Sequence, residues 1–209
     1  MAPLGIAAPQ LGRSGPPRSL GTLPRTPAHA PLPDGDLVDL ALEGDQRAFT
    51  ELVRRHDDRL RGLAFKLLGD RHRMEDAMQE AYVRVYRNLH RFRRDAELGS
   101  WLYRIVYNAC IDELRRVGRR PVPVDVGDLD WDAPAAQPGP ERIVHAADRA
   151  RRALAALPED QRATVLLVDG EGFDNVTAAE IMGVAPGTVA SRLSRARAAM
   201  RRVLAEEER

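Results

Sequence analysis

Between Pro186 and Val203 the chain carries five arginines and no acidic residue. Val189, Leu193, Ala196, Met200 and Val203 recur there at steps of three and four, so they share one face of a helix. Thr188, Ser191, Arg192, Ser194, Arg195 and Arg197 fall off that face, as do Arg201 and Arg202. Hydroxyl and guanidinium groups on one helix are suited to reading a DNA duplex. Arginine meets a guanine edge with two hydrogen bonds, and hydroxyls reach bases or phosphates. A solvated arginine face on a structural helix is the plainer alternative, but such faces usually mix charge signs, and this one does not.

The elements around this stretch have helix-turn-helix spacing. A helix of about two turns, Asn175 to Met182, leads into Gly183-Val184-Ala185, and Pro186 opens the longer helix. Ala179 and Gly183 are small where two helices must cross closely. Short patterns of this kind also arise by chance, so the spacing alone leaves the plainer alternative open.

The chain has 209 residues, enough for one large or two small domains, and 30% of them are charged with a net charge of only +1. DNA binding must then come from local patches and not from the overall field. Aromatic residues are only 5%, so the cores are aliphatic, which suits helices. The single cysteine, Cys110, excludes an internal disulfide and reads as a core residue. No apolar run approaches the length of a membrane span, and the N-terminus does not read as a signal peptide. Residues 1–33 hold eight prolines and no acid, a composition that predicts disorder.

Helical signals start at Asp34. Asp36 is expected to cap a short helix ending at Gly44, and Asp45 a longer one stopping near Gly69. A third helix is expected from about Arg73 to Asn88 and a fourth from about Ser100 to Val117. Residues 121–140 hold five prolines and four aspartates without a basic residue, which reads as a flexible acidic linker. Helices are expected again over Ile143–Leu157 and from Pro158 to Gly170. The predicted architecture is all-α: two helical domains on a tether, the second a helix-turn-helix.

On the third helix Gln79, Glu80, Arg84 and Arg87 lie off the apolar stripe. Glu80 and Arg84 are four apart and can pair; an ordinary solvated face is the alternative. Enzyme chemistry finds no support. There is no phosphate-cradling glycine loop, no paired Cys or His at ligand spacing, and no nucleophile elbow. His29, His56, His72, His90 and His145 are scattered. Asp169, Glu171 and Asp174 read as a solvated turn. Neither cofactor nor metal is expected.

Three segments resemble one family. Gly183-Val184-Ala185-Pro186-Gly187-Thr188-Val189-Ala190-Ser191-Arg192-Leu193-Ser194-Arg195-Ala196-Arg197 resembles the second DNA-binding motif of extracytoplasmic-function sigma factors, and Leu157-Pro158-Glu159-Asp160-Gln161-Arg162 resembles the opening of that domain. Asp76 to Tyr86 is similar to the family's polymerase-binding helix. Trp101-Leu102-Tyr103-Arg104-Ile105-Val106-Tyr107-Asn108-Ala109-Cys110-Ile111-Asp112 is similar to its promoter-melting helix.

The resemblance implies a dissociable subunit of bacterial RNA polymerase. Residues 34–120 would be the region 2 domain, which holds core polymerase and opens the minus-ten element. Residues 141–209 would be the region 4 domain, which binds the minus-thirty-five duplex. Linker 121–140 would thread the polymerase interior, its charge mimicking nucleic acid. Asp76, Gln79, Glu80 and Arg84 would contact polymerase. Capture of an unstacked base needs an aromatic or apolar pocket with amide edges. By resemblance Asn108 reads the base, while Phe92, Arg93 and Arg94 belong to the specificity loop; Phe92 would stack on or wall the pocket, with ordinary packing between helices as the alternative. Trp101 and Tyr103 could meet the melted edge, with a core role as the alternative for Trp101, and Arg115, Arg116, Arg119 and Arg120 would reach phosphates or else compensate the helix C-terminus. On the second DNA-binding motif the carry-over falls on Thr188, Ser191, Arg192, Ser194, Arg195 and Arg197. Ala190 stands where the family often has a basic residue, which implies an altered minus-thirty-five preference. The resemblance further implies an anti-sigma partner, a cytoplasmic location, and no insertion into the membrane by the chain itself. The competing expectations are a helix-turn-helix regulator that never replaces a sigma subunit, and an adaptor that binds polymerase without opening DNA.

Overall fold

Asp45 accepts hydrogen bonds from the backbone N–H groups of Arg47 and Ala48, and from there the chain runs as one helix until Gly69 turns left-handed at φ 66°. This cap and stop are the ones expected from the residue types. The computed structural model describes residues 32–92, 97–117 and 140–206. The expected disorder of 1–33 and the linker at 121–140 therefore lie outside the described residues, but for 32–33 and Pro140.

The N-terminal module contains α1 (Asp34–Leu42), α2 (Gln46–Leu68), α3 (Arg71–Asn88) and α4 (Leu98–Val117), with a 3₁₀ turn at Leu89–Arg91 after α3. Asp36 does not cap α1. It lies in the first turn, behind Pro33, where its charge complements the helix dipole. The cap of α3 is Asp70, which accepts from Arg73 N–H, so that helix starts two residues before the expected Arg73. Leu52, Leu60, Leu63, Leu67, Met78, Leu102 and Val106 are all but completely enclosed between these helices. Cys110 is fully buried, as expected, and burial pushes its thiol up to about 12.

The C-terminal module contains α5 (Pro140–Ala155), α6 (Glu159–Val165), α7 (Asn175–Met182) and α8 (Pro186–Glu206). Proline at the first position of α5 and of α8 lacks only an N–H that has no helical partner there. The expected continuous helix up to Gly170 is interrupted: α6 widens into a π turn over Leu166–Gly170. Glu171 N–H reaches Leu166 O at 2.9 Å and Phe173 N–H reaches Leu167 O at 3.1 Å. Gly172, at φ 81°, takes the backbone where a side chain would be strained. The wider turn places Glu171 and Phe173 against the first module.

That docking changes the picture of two bodies on a tether. The aliphatic core runs without interruption from one module into the other, and α7 packs along α4. The Tyr103 hydroxyl donates to the Glu171 carboxylate, and the Tyr103 ring meets Phe173 edge-on at 4.9 Å. Arg162 sits at the joint. Its guanidinium donates to the carbonyls of Leu154, Ala155 and Leu157 at the end of α5, and at 3.1 Å to Leu67 O at the end of α2. A cation at two helix C-termini is favourably placed against both dipoles. Burial is nonetheless the larger influence on Arg162 and lowers its pKa.

Candidate nucleic-acid interface

The helix-turn-helix is assembled from three local devices. Asp174 accepts from Thr177 N–H and so caps α7. Gly183, left-handed at φ 67°, ends α7 with its N–H on Ala179 O. Val184 N–H adds a second bond to the same carbonyl at 3.0 Å, and Pro186 restarts the chain as α8. Val189, Leu193 and Ala196 are buried, whereas Ala190, Ser191, Ser194, Arg195 and Arg197 are exposed; Thr188 and Arg192 are intermediate. The apolar stripe and the polar face divide as their spacing predicts.

The charge pattern on α8 is less bare than its sequence. Arg192 pairs with Asp160 of α6 at 3.0 Å, and Arg197 donates to Asp169 of the π turn at 3.0 Å. Arg195 bonds only within its own helix, to Ser191 O at 3.2 Å, and meets no carboxylate among the described residues. The acids missing from Pro186–Val203 are supplied by the preceding segment. Asp160 and Asp169 are visible in the sequence, but only tertiary packing brings them to the arginines.

The second feature is a concavity of about 270 Å³ between α3 and α4. Arg84 and Asn88 come from α3, Arg91 from the 3₁₀ turn, and Trp101, Arg104, Ile105 and Asn108 from α4. Trp101, Arg104, Ile105 and Asn108 are at steps of one, three and four, so one helix face delivers all of them. The volume is below the range of drug-sized sites, about 300–1,000 Å³, and suits a single planar base. Its walls combine an aromatic and an aliphatic side chain with amides and guanidinium groups.

Arg84 is braced. Its Nε donates to Glu80 at 3.0 Å and its Nη1 to Asp112 at 2.9 Å. Partial burial works against its charge, but the two carboxylates outweigh that and raise its pKa. The expected Glu80–Arg84 pair is present, and it serves the wall of the concavity. Asp76, Gln79 and Glu80 are exposed on α3, on hand for a partner. Asp76 lies 3.7 Å from Arg116, which also pairs with Glu113, while Arg115 is largely exposed.

Other expectations need correction. Phe92 does not line the concavity. Its N–H closes the 3₁₀ turn on Leu89 O, and its ring packs on Trp101 with centroids 5.4 Å apart. Packing between hydrophobic rings wins over display to solvent. Tyr103 is 4% exposed and bonded to Glu171, so it meets no DNA in this arrangement. Glu171 is not in a solvated turn: its side chain is 9% exposed and also faces Arg59 at 3.7 Å. Arg93, Arg94, Arg119 and Arg120 lie outside the described residues. Asn88 was missed by sequence reasoning. Its position at the end of α3, one turn beyond Arg84, is the signal that could have found it.

No group of three or more His, Cys, Asp and Glu able to hold a metal occurs among the described residues. No helix among them is long and apolar enough to cross a membrane.

The family Sigma-70 region 2 matches residues 52–120, and the family Sigma-70, region 4 matches residues 147–200. The ECF RNA polymerase sigma factor SigM of Mycobacterium tuberculosis strain H37Rv is 40% identical over 171 residues, covering 82% of this chain and 84% of the relative. The chain belongs to the extracytoplasmic-function sigma factors. The ECF RNA polymerase sigma-E factor of Escherichia coli K12 is 34% identical over 180 residues, 81% of this chain and 93% of the relative. Among solved structures, CnrH in complex with the cytosolic domain of CnrY superposes with a TM-score of 0.62 at 25% identity, covering 83% of this chain and 97% of that one. RpoE of Bartonella quintana, in complex with the anti-sigma factor NepR, gives 0.62 at 26% identity, over 75% and 96%. In this sigma factor the region 2 match includes the whole concavity, and the region 4 match includes α7 and, on α8, the exposed Ser191, Ser194, Arg195 and Arg197.

Proposed function

We propose that this protein is an alternative sigma factor that binds core RNA polymerase and directs promoter-specific initiation. The α8 face reads the minus-thirty-five element as duplex through Ser191, Ser194 and Arg195, with Thr188, Arg192 and Arg197 at its margins. The α3–α4 concavity takes an extruded base of the melted minus-ten element, with Asn108 on its edge and Trp101 as the stacking wall. Asp76 and Gln79, exposed on α3, contact core polymerase; Glu80 and Arg84 are shared between that contact and the concavity. Residues 34–120 and 141–209 act as the two recognising domains. The protein carries no catalytic step of its own, since nucleotide addition belongs to the polymerase. It works in the cytoplasm.

One observation carries the reading: a single chain combines a duplex-reading helix with a base-sized concavity edged by amides. A helix-turn-helix regulator needs the first and has no use for the second. The solved relatives in complex with CnrY and NepR support an anti-sigma partner for this chain as well. Duplex sites for α8 and the concavity lie apart on a promoter, so the packed α4–α7 arrangement must open when polymerase is engaged.

Run-off transcription with purified core polymerase on a promoter library tests this. Specific transcripts that require both the protein and the core enzyme are expected. A protein that footprints its site without polymerase and never yields transcripts would be a regulator instead.

A further inference from the structure

We infer that Asn88 is a specificity-determining residue of the α3–α4 concavity, which makes it select an extruded base bearing an exocyclic amino group over thymine. The inference rests on the reading of the concavity as the site of base capture.

The amide of Asn88 is oriented by its own helix. Its Nδ2 donates to Arg84 O at 2.8 Å. A carbonyl oxygen only accepts, so the nitrogen end of the amide must face it. The Oδ1 atom is thereby turned away from the helix backbone, and the side chain lines the concavity. Arg84 is held in turn by Glu80 and Asp112, so it does not swing in to satisfy that oxygen. The remaining polar groups of the wall, Arg91 and Arg104, only donate, and Asn108 is free to turn either end of its amide. Asn88 Oδ1 is thus a fixed acceptor in a site otherwise rich in donors.

A base that satisfies such a site must donate from an exocyclic position and accept beside it. Adenine does so with N6 and N1, and cytosine with N4 and N3. Thymine places O4 where the amino group would be, so two oxygens face each other and Asn88 stays unpaired. A site built around a hydrogen bond rejects a ligand that lacks the matching group, because the protein group is left desolvated without a partner.

The test uses holoenzyme assembled from full-length protein and core polymerase, on forked promoter DNAs that differ only at the extruded base. Replacing adenine by purine, or cytosine by pyrimidin-2-one, removes only the amino group. With the wild-type protein this deletion should weaken open-complex formation about tenfold, the size of one buried hydrogen bond. With Asn88→Leu the deletion should have no further effect, and thymine should become tolerated. Asn88→Ala provides a second variant, and thermal unfolding checks that both are folded. Asn108→Ala separates the two layers of the argument. If Asn108→Ala impairs melting while Asn88→Leu leaves the penalty for amino deletion unchanged, base capture stands and the role of Asn88 is refuted. If neither substitution alters melting or base preference, capture in this concavity is itself refuted.

Discussion

The two surfaces assigned to DNA are built on opposite plans. The α8 face is convex and borne by one helix, and its exposed Ser191, Ser194 and Arg195 need only project. The α3–α4 concavity needs two helices and a turn in register, and its arginine wall is fixed by Glu80 and Asp112. Duplex DNA presents an ordered groove, so a helix whose guanidinium groups are held only by partly exposed partners can adapt to it. An extruded base must instead recover the stacking and pairing it has lost, a few kcal/mol. A cavity with some of its polar groups already oriented, as Arg84 and Asn88 are here, can supply that. If the proposed function holds, the difference teaches that preorganisation is concentrated where DNA is deformed.

The first way to break this comparison is to soften the frame under one surface only. Met78 of α3 is fully buried, and Met78→Ala should cost about 2–5 kcal/mol of stability. Because the concavity depends on the α3–α4 register, open-complex formation should fall further than binding to a duplex minus-thirty-five fragment. Denaturant unfolding, with the two DNA assays run well below the midpoint, measures both. Equal losses on the two DNAs would show that the surfaces share one frame.

A smaller effect is expected on the other surface. Arg195 bonds to no carboxylate among the described residues, so, unlike Arg192 and Arg197, it reaches DNA without leaving an ion pair. Arg195→Ala should weaken duplex binding by about 1–3 kcal/mol and relax preference at one base pair. Binding titrations against a panel of single-base variants read this out. A uniform loss over all variants would make Arg195 a phosphate contact and leave base reading to Ser191 and Ser194.

These contrasts also show what could be read from the residues alone. The stops at Gly69 and Gly183 and the cap at Asp45 follow from local backbone chemistry, and each lies where the residue type demands. The buried stripe of α8 follows from its period. The π turn after Val165 has no comparable signature, since a helix that widens keeps its apolar residues. Tyr103 and Glu171 are 68 positions apart and meet only because α7 packs on α4. Phe92 packs on Trp101, nine positions away on another element, and does not line the concavity. Apart from the caps of α1 and α3, contacts within one helix were legible, whereas those whose partner comes from another element were not.

The smallest effect concerns the acids that flank α8. Arg192 is 21% exposed and held by Asp160, itself 48% exposed. A pair this open to water is worth at most about 1 kcal/mol. The same pairing competes with DNA, since a guanidinium that neutralises Asp160 must leave it before reaching a phosphate. Asp160→Asn keeps the shape and removes the competing charge. It should therefore tighten duplex binding slightly, by less than about tenfold, and steepen the salt dependence by roughly the equivalent of one phosphate contact. It should leave open-complex formation on forked DNA unchanged, because Asp160 lies outside the concavity. Binding isotherms at several salt concentrations decide the matter. If affinity falls instead, Asp160 holds Arg192 in the orientation that DNA requires, and α8 would share the braced design of the α3–α4 wall.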